Sequence, residues 1–176
     1  MPKIIENLEE RLIEEASKEL FEKGYADMTI RTIAQNCGIA VGTVYNYYKS
    51  KDELVGQIML RDWQKIMADV KHQCESSIDI FEGFKFMFDG ISTFSEKYDP
   101  VWTQYGKYTS VRREAPIQFD WLITQLADIL YEVLERCHNE KDHYISEFLA
   151  EILLNAATKQ DFEYDNLSRV LKRMFG

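Results

Sequence analysis

Residues Thr29–Leu54 read TIRTIAQNCGIAVGTVYNYYKSKDEL, an order that calls for two short helices crossing at a tight turn. Ile30, Ile33, Ala34 and Cys37 follow the rhythm of one helix face that opens just after Thr29. Thr29 offers a side-chain oxygen as N-cap. Gly38 follows the last apolar position, where a helix commonly ends on a residue of positive φ that glycine adopts without strain. Ile39 then reaches back to the core, and Val41, Val44, Tyr45 and Tyr48 restart the helical period. Ala34 is small where the second helix must cross the first, and Val44 is apolar where that helix needs an inward anchor. Small, turn, anchor is the pattern of a helix-turn-helix.

The second helix leaves Gly42, Thr43, Asn46 and Tyr47 on its outer face. A recognition helix enters the major groove N-terminus first, so small residues there permit close approach. Asn46 can bond an adenine edge in bidentate fashion, and the Thr43 methyl can touch a thymine methyl. Arg31, Lys49 and Lys51 flank the unit, and no acidic residue falls between Met28 and Lys51. The expected DNA-contacting set is Thr29, Arg31, Val41, Gly42, Thr43, Tyr45, Asn46, Tyr47, Lys49 and Lys51.

The TIRTIA opening, the CGI turn, GTVYNYY and the following KSKDEL together resemble the N-terminal DNA-binding domain of the TetR family of bacterial transcriptional regulators. The resemblance covers Ile5 to about Met59 at motif level; beyond that the chain shares the family's length and all-helical character only. Two positions depart from the family pattern. Ala40 stands where the family often has a serine that caps the recognition helix, a contact worth about 1 kcal/mol, and Val41 stands where Lys or Arg is frequent. Both reduce phosphate contact without abolishing the fold.

The chain of 176 residues exceeds the length at which a core becomes self-sufficient, and its three prolines and eight glycines predict long helices. The expected architecture is all-α. A three-helix domain over residues 1–50 would be joined by a connecting helix, 51–74, to a helical effector-binding and dimerisation domain that completes 51–176. A formal net charge of -9 argues against nucleic acid until its distribution is read. Acids crowd the first helix at Glu6, Glu9, Glu10, Glu14, Glu15, Glu19 and Glu22 and recur in the C-terminal body, so an acidic body would repel DNA everywhere except through the mildly basic reading face. Sharp salt dependence should follow.

Ile5, Leu8, Leu12, Ile13, Ala16 and Leu20 form the stripe of a first helix ending near Lys23-Gly24. Ser50 with Glu53 and Asp79 with Glu82 read as capping boxes of later helices. Asp99-Pro100 reads as the N-cap and first position of another, and Pro116 as the start of a long helix stopping near Asn139. Two closing helices are expected, from Tyr144 to about Lys159 and from Asp165 to about Phe175. The family resemblance implies that this pair builds a dimer interface through Phe148, Leu149, Ile152, Leu153, Ala156, Leu167, Val170, Leu171 and Met174, while an intramolecular core fits the same periodicity.

Trp102, Tyr105, Tyr108 and Trp121 flank the middle helices, where the family's inducer pocket generally lies, and aromatic rings with a few polar groups make a small-molecule site. The same rings also fit a plain core. Arg112 and Arg113 either face solvent or pair with an anionic effector. Cys37, Cys74 and Cys137 are far apart, with no C-x-x-C pair and no histidine at ligand spacing, so buried reduced thiols are expected and no metal or cofactor. No apolar run approaches a membrane span, and no Gly-rich phosphate loop, H-E-x-x-H or nucleophile motif marks an enzyme. The implied function is a cytoplasmic homodimeric regulator that reads a palindromic operator in double-stranded DNA and acts as a repressor released by a small-molecule effector. The alternative is an all-helical ligand-binding or protein-interaction dimer with a weak or vestigial head.

Overall fold

A computed structural model describes residues 7–77, 79–108, 119–138, 142–159 and 161–175. The described residues form eight helices and no strand: α1 (Leu8–Asp27), α2 (Ile30–Asn36), α3 (Val41–Tyr47), α4 (Lys51–Ser76), α5 (Ile80–Tyr108), α6 (Phe119–His138), α7 (His143–Ala157) and α8 (Tyr164–Phe175). Residues 7–61 and 98–108 build one compact unit, and residues 62–97 with those described from 119 onward build the other. Both α4 and α5 therefore contribute to each unit.

In the first unit Leu8, Leu12, Ala16 and Leu20 stand one turn apart on α1 and are buried, while Glu9, Glu10, Glu14 and Glu22 face water. Ile5 lies outside the described residues. Helical geometry breaks at Gly24, whose φ of 82° and ψ of 166° separate a final turn from the rest of α1. Glu19 is buried within this helix, and Lys23 Nζ pairs with its two oxygens at 2.7 and 2.9 Å. Arg61 closes on Glu10 at 2.6 Å and so ties α4 to α1.

The second unit is organised around Trp63, fully buried, with its indole N–H donating to Gln125 Oε1 at 2.8 Å and its ring meeting Phe94 edge-on at 5.1 Å. Lys71 pairs with Glu132 at 2.7 Å and Arg136 donates to the Cys74 carbonyl, so α4 and α6 are joined along their lengths. α7 starts on Asp142, which accepts the Tyr144 N–H at 2.8 Å. α8 is held to α5 by the Tyr164 hydroxyl, which donates to the Phe81 carbonyl at 2.9 Å, and by ring contacts of Phe88 with Tyr164 and Phe84 with Phe175.

One expected boundary is overturned. Asp99-Pro100 does not open a helix, because Pro100 lies inside an unbroken α5. Ile91, Phe94, Tyr98, Val101 and Tyr105 are all buried at helical spacing, so a single apolar stripe passes the proline without a change of phase. An interior proline costs about 3 kcal/mol through a lost hydrogen bond and a ring clash, and burying side chains on both sides offsets it. Pro116 and Asn139, the expected bounds of the following helix, lie outside the described residues.

Candidate nucleic-acid interface

The turn between α2 and α3 is built from local signals. Thr29 Oγ1 accepts the Thr32 N–H at 3.1 Å and shares a 2.8 Å hydrogen bond with Thr32 Oγ1, which caps α2 and occupies the Thr29 hydroxyl. At the far end Gly38 sits at φ 69°, the Gly38 N–H reaches the Gln35 carbonyl at 3.0 Å and the Ile39 N–H reaches the Ala34 carbonyl at 2.9 Å. That pair of bonds is the Schellman ending, which satisfies carbonyls left open at a helix terminus. Ala34 and Val44 are buried where the two helices cross. α1 holds the turn from behind: Arg11 donates to the Cys37 carbonyl at 3.2 Å, and Asn36 donates to Glu15 at 2.6 Å. The Cys37 thiol is buried, and desolvation pushes its pKa up. Such a thiol is a poor nucleophile.

α3 presents the expected outer face. Val41, Gly42, Tyr45, Asn46 and Tyr47 are exposed and Thr43 is half-buried. Tyr45, placed by its spacing among the inward positions as well as the DNA-contacting ones, points out with 49% of its surface free. Gly42 faces open space, since a Cβ added there would meet nothing within 4 Å. Internal packing therefore gives no reason for glycine at this place. Ala40 precedes α3 without a side-chain cap, so the N–H groups of the first turn lack the partner a serine would supply.

Arg31 and Lys49 are exposed beside this face. Lys51 is turned inward instead. Its Nζ donates to the Ala26 carbonyl at 3.3 Å and lies 4.3 Å from the centre of the Tyr25 ring, and burial lowers its pKa. Its neighbours complete the start of α4: Ser50 Oγ accepts the Glu53 N–H at 3.0 Å, and Glu53 reaches back to the Lys49 N–H at 2.6 Å. The expected capping box is present, with its return bond one residue earlier than the usual position. Tyr48 closes α3 on the buried side; burial, with Glu9 beside the ring, pushes its phenol up to about 12.

Residues 12–58, which run from α1 into α4 and enclose the whole helix-turn-helix, match the bacterial regulatory proteins of the tetR family. The match ends within α4, so the likeness to that family rests on the helix-turn-helix segment. An uncharacterized HTH-type transcriptional regulator of Haemophilus influenzae is 24% identical over 105 residues, which cover 60% of this chain and 56% of that protein. The HTH-type transcriptional regulator UidR of Escherichia coli is 31% identical over 61 residues, 34% of this chain and 31% of its own length. The chain thus spans about half or less of the curated relatives it matches. A solved TetR-family regulator of Streptomyces coelicolor shares the fold with a TM-score of 0.58 at 15% identity, over 95% of this chain and 91% of that one.

The closing helices lie beyond the matched segment. Tyr144 and Phe148 on α7 and Val170 and Met174 on α8 stand in water, with 81, 56, 54 and 51% of their surfaces free. Ile152 is half-buried, and a depression of about 410 Å³ beside it is lined by Glu151, Asn155, Ala156, Lys159, Phe162 and Leu167. Leu149, Leu153, Ala156, Leu167 and Leu171 are buried inside the protomer. The nine residues proposed for an interface therefore divide between core and surface.

The proposed ligand residues divide as well. Tyr105 is buried in the first unit, where its ring meets Trp102 edge-on at 6.5 Å and Tyr25 at 5.4 Å. Trp121 is half-buried in the second unit. The Tyr108 side chain, Arg112 and Arg113 lie outside the described residues. Among the described residues no cluster of His, Cys, Asp and Glu could hold a metal ion, and no helix is long and apolar enough to cross a membrane. Sequence reasoning missed Tyr25, Asp52 and Gln104. Nothing in the order of residues near Gln104 marks it, because its partner is in another helix.

Proposed function

We propose that this chain is a sequence-specific transcriptional regulator that reads duplex DNA with α3. The carrying observation is the outer face of that helix. Val41, Gly42, Tyr45, Asn46 and Tyr47 are exposed on a segment free of acids from residue 28 to 51, and Gly42 leaves room that no internal contact requires. A single short helix makes too few base contacts to be selective, so two copies reading a palindromic site are part of the proposal. The exposed side chains Phe148, Val170 and Met174 are the surface offered to the second copy. Regulation is by a small molecule bound among the aromatic side chains of the helical body, in a protein acting in the cytoplasm as a repressor. By linkage, an effector that weakens DNA binding itself binds less tightly to the DNA-bound form.

The test is selection from a random-sequence duplex pool with purified protein at moderate salt, followed by sequencing. An enriched palindrome is the expected result. A folded protein that enriches no sequence would instead favour a helical binding module whose head does not read DNA, the reading that the uncapped Ala40 and the acidic total would then explain.

A further inference from the structure

The break in α1 leaves a backbone group that another helix satisfies. Because Gly24 departs from helical geometry at φ 82°, the turn from Tyr25 to Asp27 is displaced from the hydrogen-bond ladder of α1. A part-buried N–H without a partner is costly, and a lost hydrogen bond is felt more than a formed one is rewarded. The Ala26 N–H finds its acceptor in Gln104 Oε1, 3.0 Å away on the last turns of α5. The Ala26 carbonyl accepts from Lys51 Nζ at 3.3 Å, so one residue is gripped on both sides. Tyr25 beside it bonds Asp52 through its hydroxyl and forms a T-shaped ring pair with Tyr105 at 5.4 Å. Gly24 packs against the same glutamine, since a Cβ there would fall 2.8 Å from Gln104 Nε2.

This junction adjoins both ends of the reading motif. Ala26 stands just before the Thr29 cap of α2, and Lys51 opens α4 just after α3 ends. All these contacts lie within the first unit, to which α5 contributes residues from 98 onward. We propose that Gln104 is a positioning residue for DNA reading: it fixes the α1–α2 junction, and through it the pose of α3, without touching DNA. This rests on the DNA-reading function proposed above.

The experiment uses the full chain, the duplex enriched by the wild-type protein and a random duplex of equal length. Gln104→Met keeps the length of the side chain and removes the acceptor, whereas Gln104→Glu keeps an acceptor oxygen. Gln104→Met should lose about threefold to tenfold in affinity for the enriched duplex, the range a net hydrogen bond carries, with unchanged helicity and with random-duplex affinity held within about twofold, because phosphate contacts remain. Gln104→Glu should recover most of the loss. Equal affinity of Gln104→Met and wild type for the enriched duplex would overturn the role of Gln104. So would an equal loss on both duplexes, which marks damage to the fold, or a failure of Gln104→Glu to rescue. If the wild type itself enriches no sequence, the DNA-reading function fails first and takes this role with it; a wild type that selects a site separates the two failures.

Discussion

α3 and the α7–α8 pair both leave large side chains in water, yet the chemistry around them differs. On α3 the exposed Val41, Tyr45 and Tyr47 alternate with Gly42 and Asn46, no acid is near in sequence, and the main inward anchor is Val44. On α7 the exposed Tyr144 and Phe148 are followed by Glu147 and Glu151, and Ser146, Leu149, Ala150, Leu153, Ala156 and Ala157 root the helix in the core. Exposure alone thus says little about a partner. Rings mixed with amide groups on a lightly anchored helix suit the wet, polar edges of bases, whereas an apolar stripe on a deeply anchored helix suits a protein surface.

The comparison is sharpest where neighbours on α7 have opposite fates. Leu149→Ala should cost about 2–5 kcal/mol of protomer stability by leaving a cavity, whereas Phe148→Ala beside it should leave the denaturation midpoint almost unmoved; equal costs would mean that the two faces of α7 are not distinct. Next in size, the paired change Phe148→Glu and Val170→Glu should convert dimers to monomers by analytical ultracentrifugation and weaken binding to the enriched duplex on the order of 100-fold, since charges at the centre of an apolar interface oppose pairing. A folded double variant that still dimerises would move the interface elsewhere.

On α3, Asn46→Ala should reduce affinity for the enriched duplex by about 1–3 kcal/mol, the value of a good bidentate base contact, while binding to random duplex stays nearly constant. Parallel losses would remove its base-reading role. The smallest expected effect has two signs: Gly42→Ala should raise folding stability by up to about 1 kcal/mol through helix propensity, because the added methyl meets nothing in the protein, and yet it should weaken DNA binding. A stabilised variant with undiminished affinity would show that the space over Gly42 is not occupied by DNA.

Lys51 illustrates how a candidate site residue can be legible in type while its side-chain direction is not. Its charge and its place after α3 make it a natural phosphate contact in sequence, but the Tyr25 ring and the Ala26 carbonyl hold it inward. Tyr45 was legible in the opposite sense, since its spacing allowed both faces and only packing turned it out. The dimer set shows a similar division. Helical periodicity gathers Phe148, Leu149, Ile152 and Leu153 onto one broad apolar face, and cannot tell which edge of that face the protomer covers for itself.

The sequence by itself determined the helix-turn-helix and the all-helical class, because their causes act within a few residues: the Thr29 cap, the left-handed Gly38, the small Ala34, the Val44 anchor and the regular apolar stripes. Tertiary structure decided what depends on partners far along the chain. It carried α5 through Pro100, turned Lys51 inward, split the α7 face between core and water, and brought Gln104 to Ala26 across 78 residues. A cap or a turn is a contest among neighbouring torsions and their hydrogen bonds, and order along the chain settles it. Which face is buried, and which side chain completes a broken helix, is a contest among whole elements for the same apolar surface and the same backbone donors, and that contest is settled only when the elements meet.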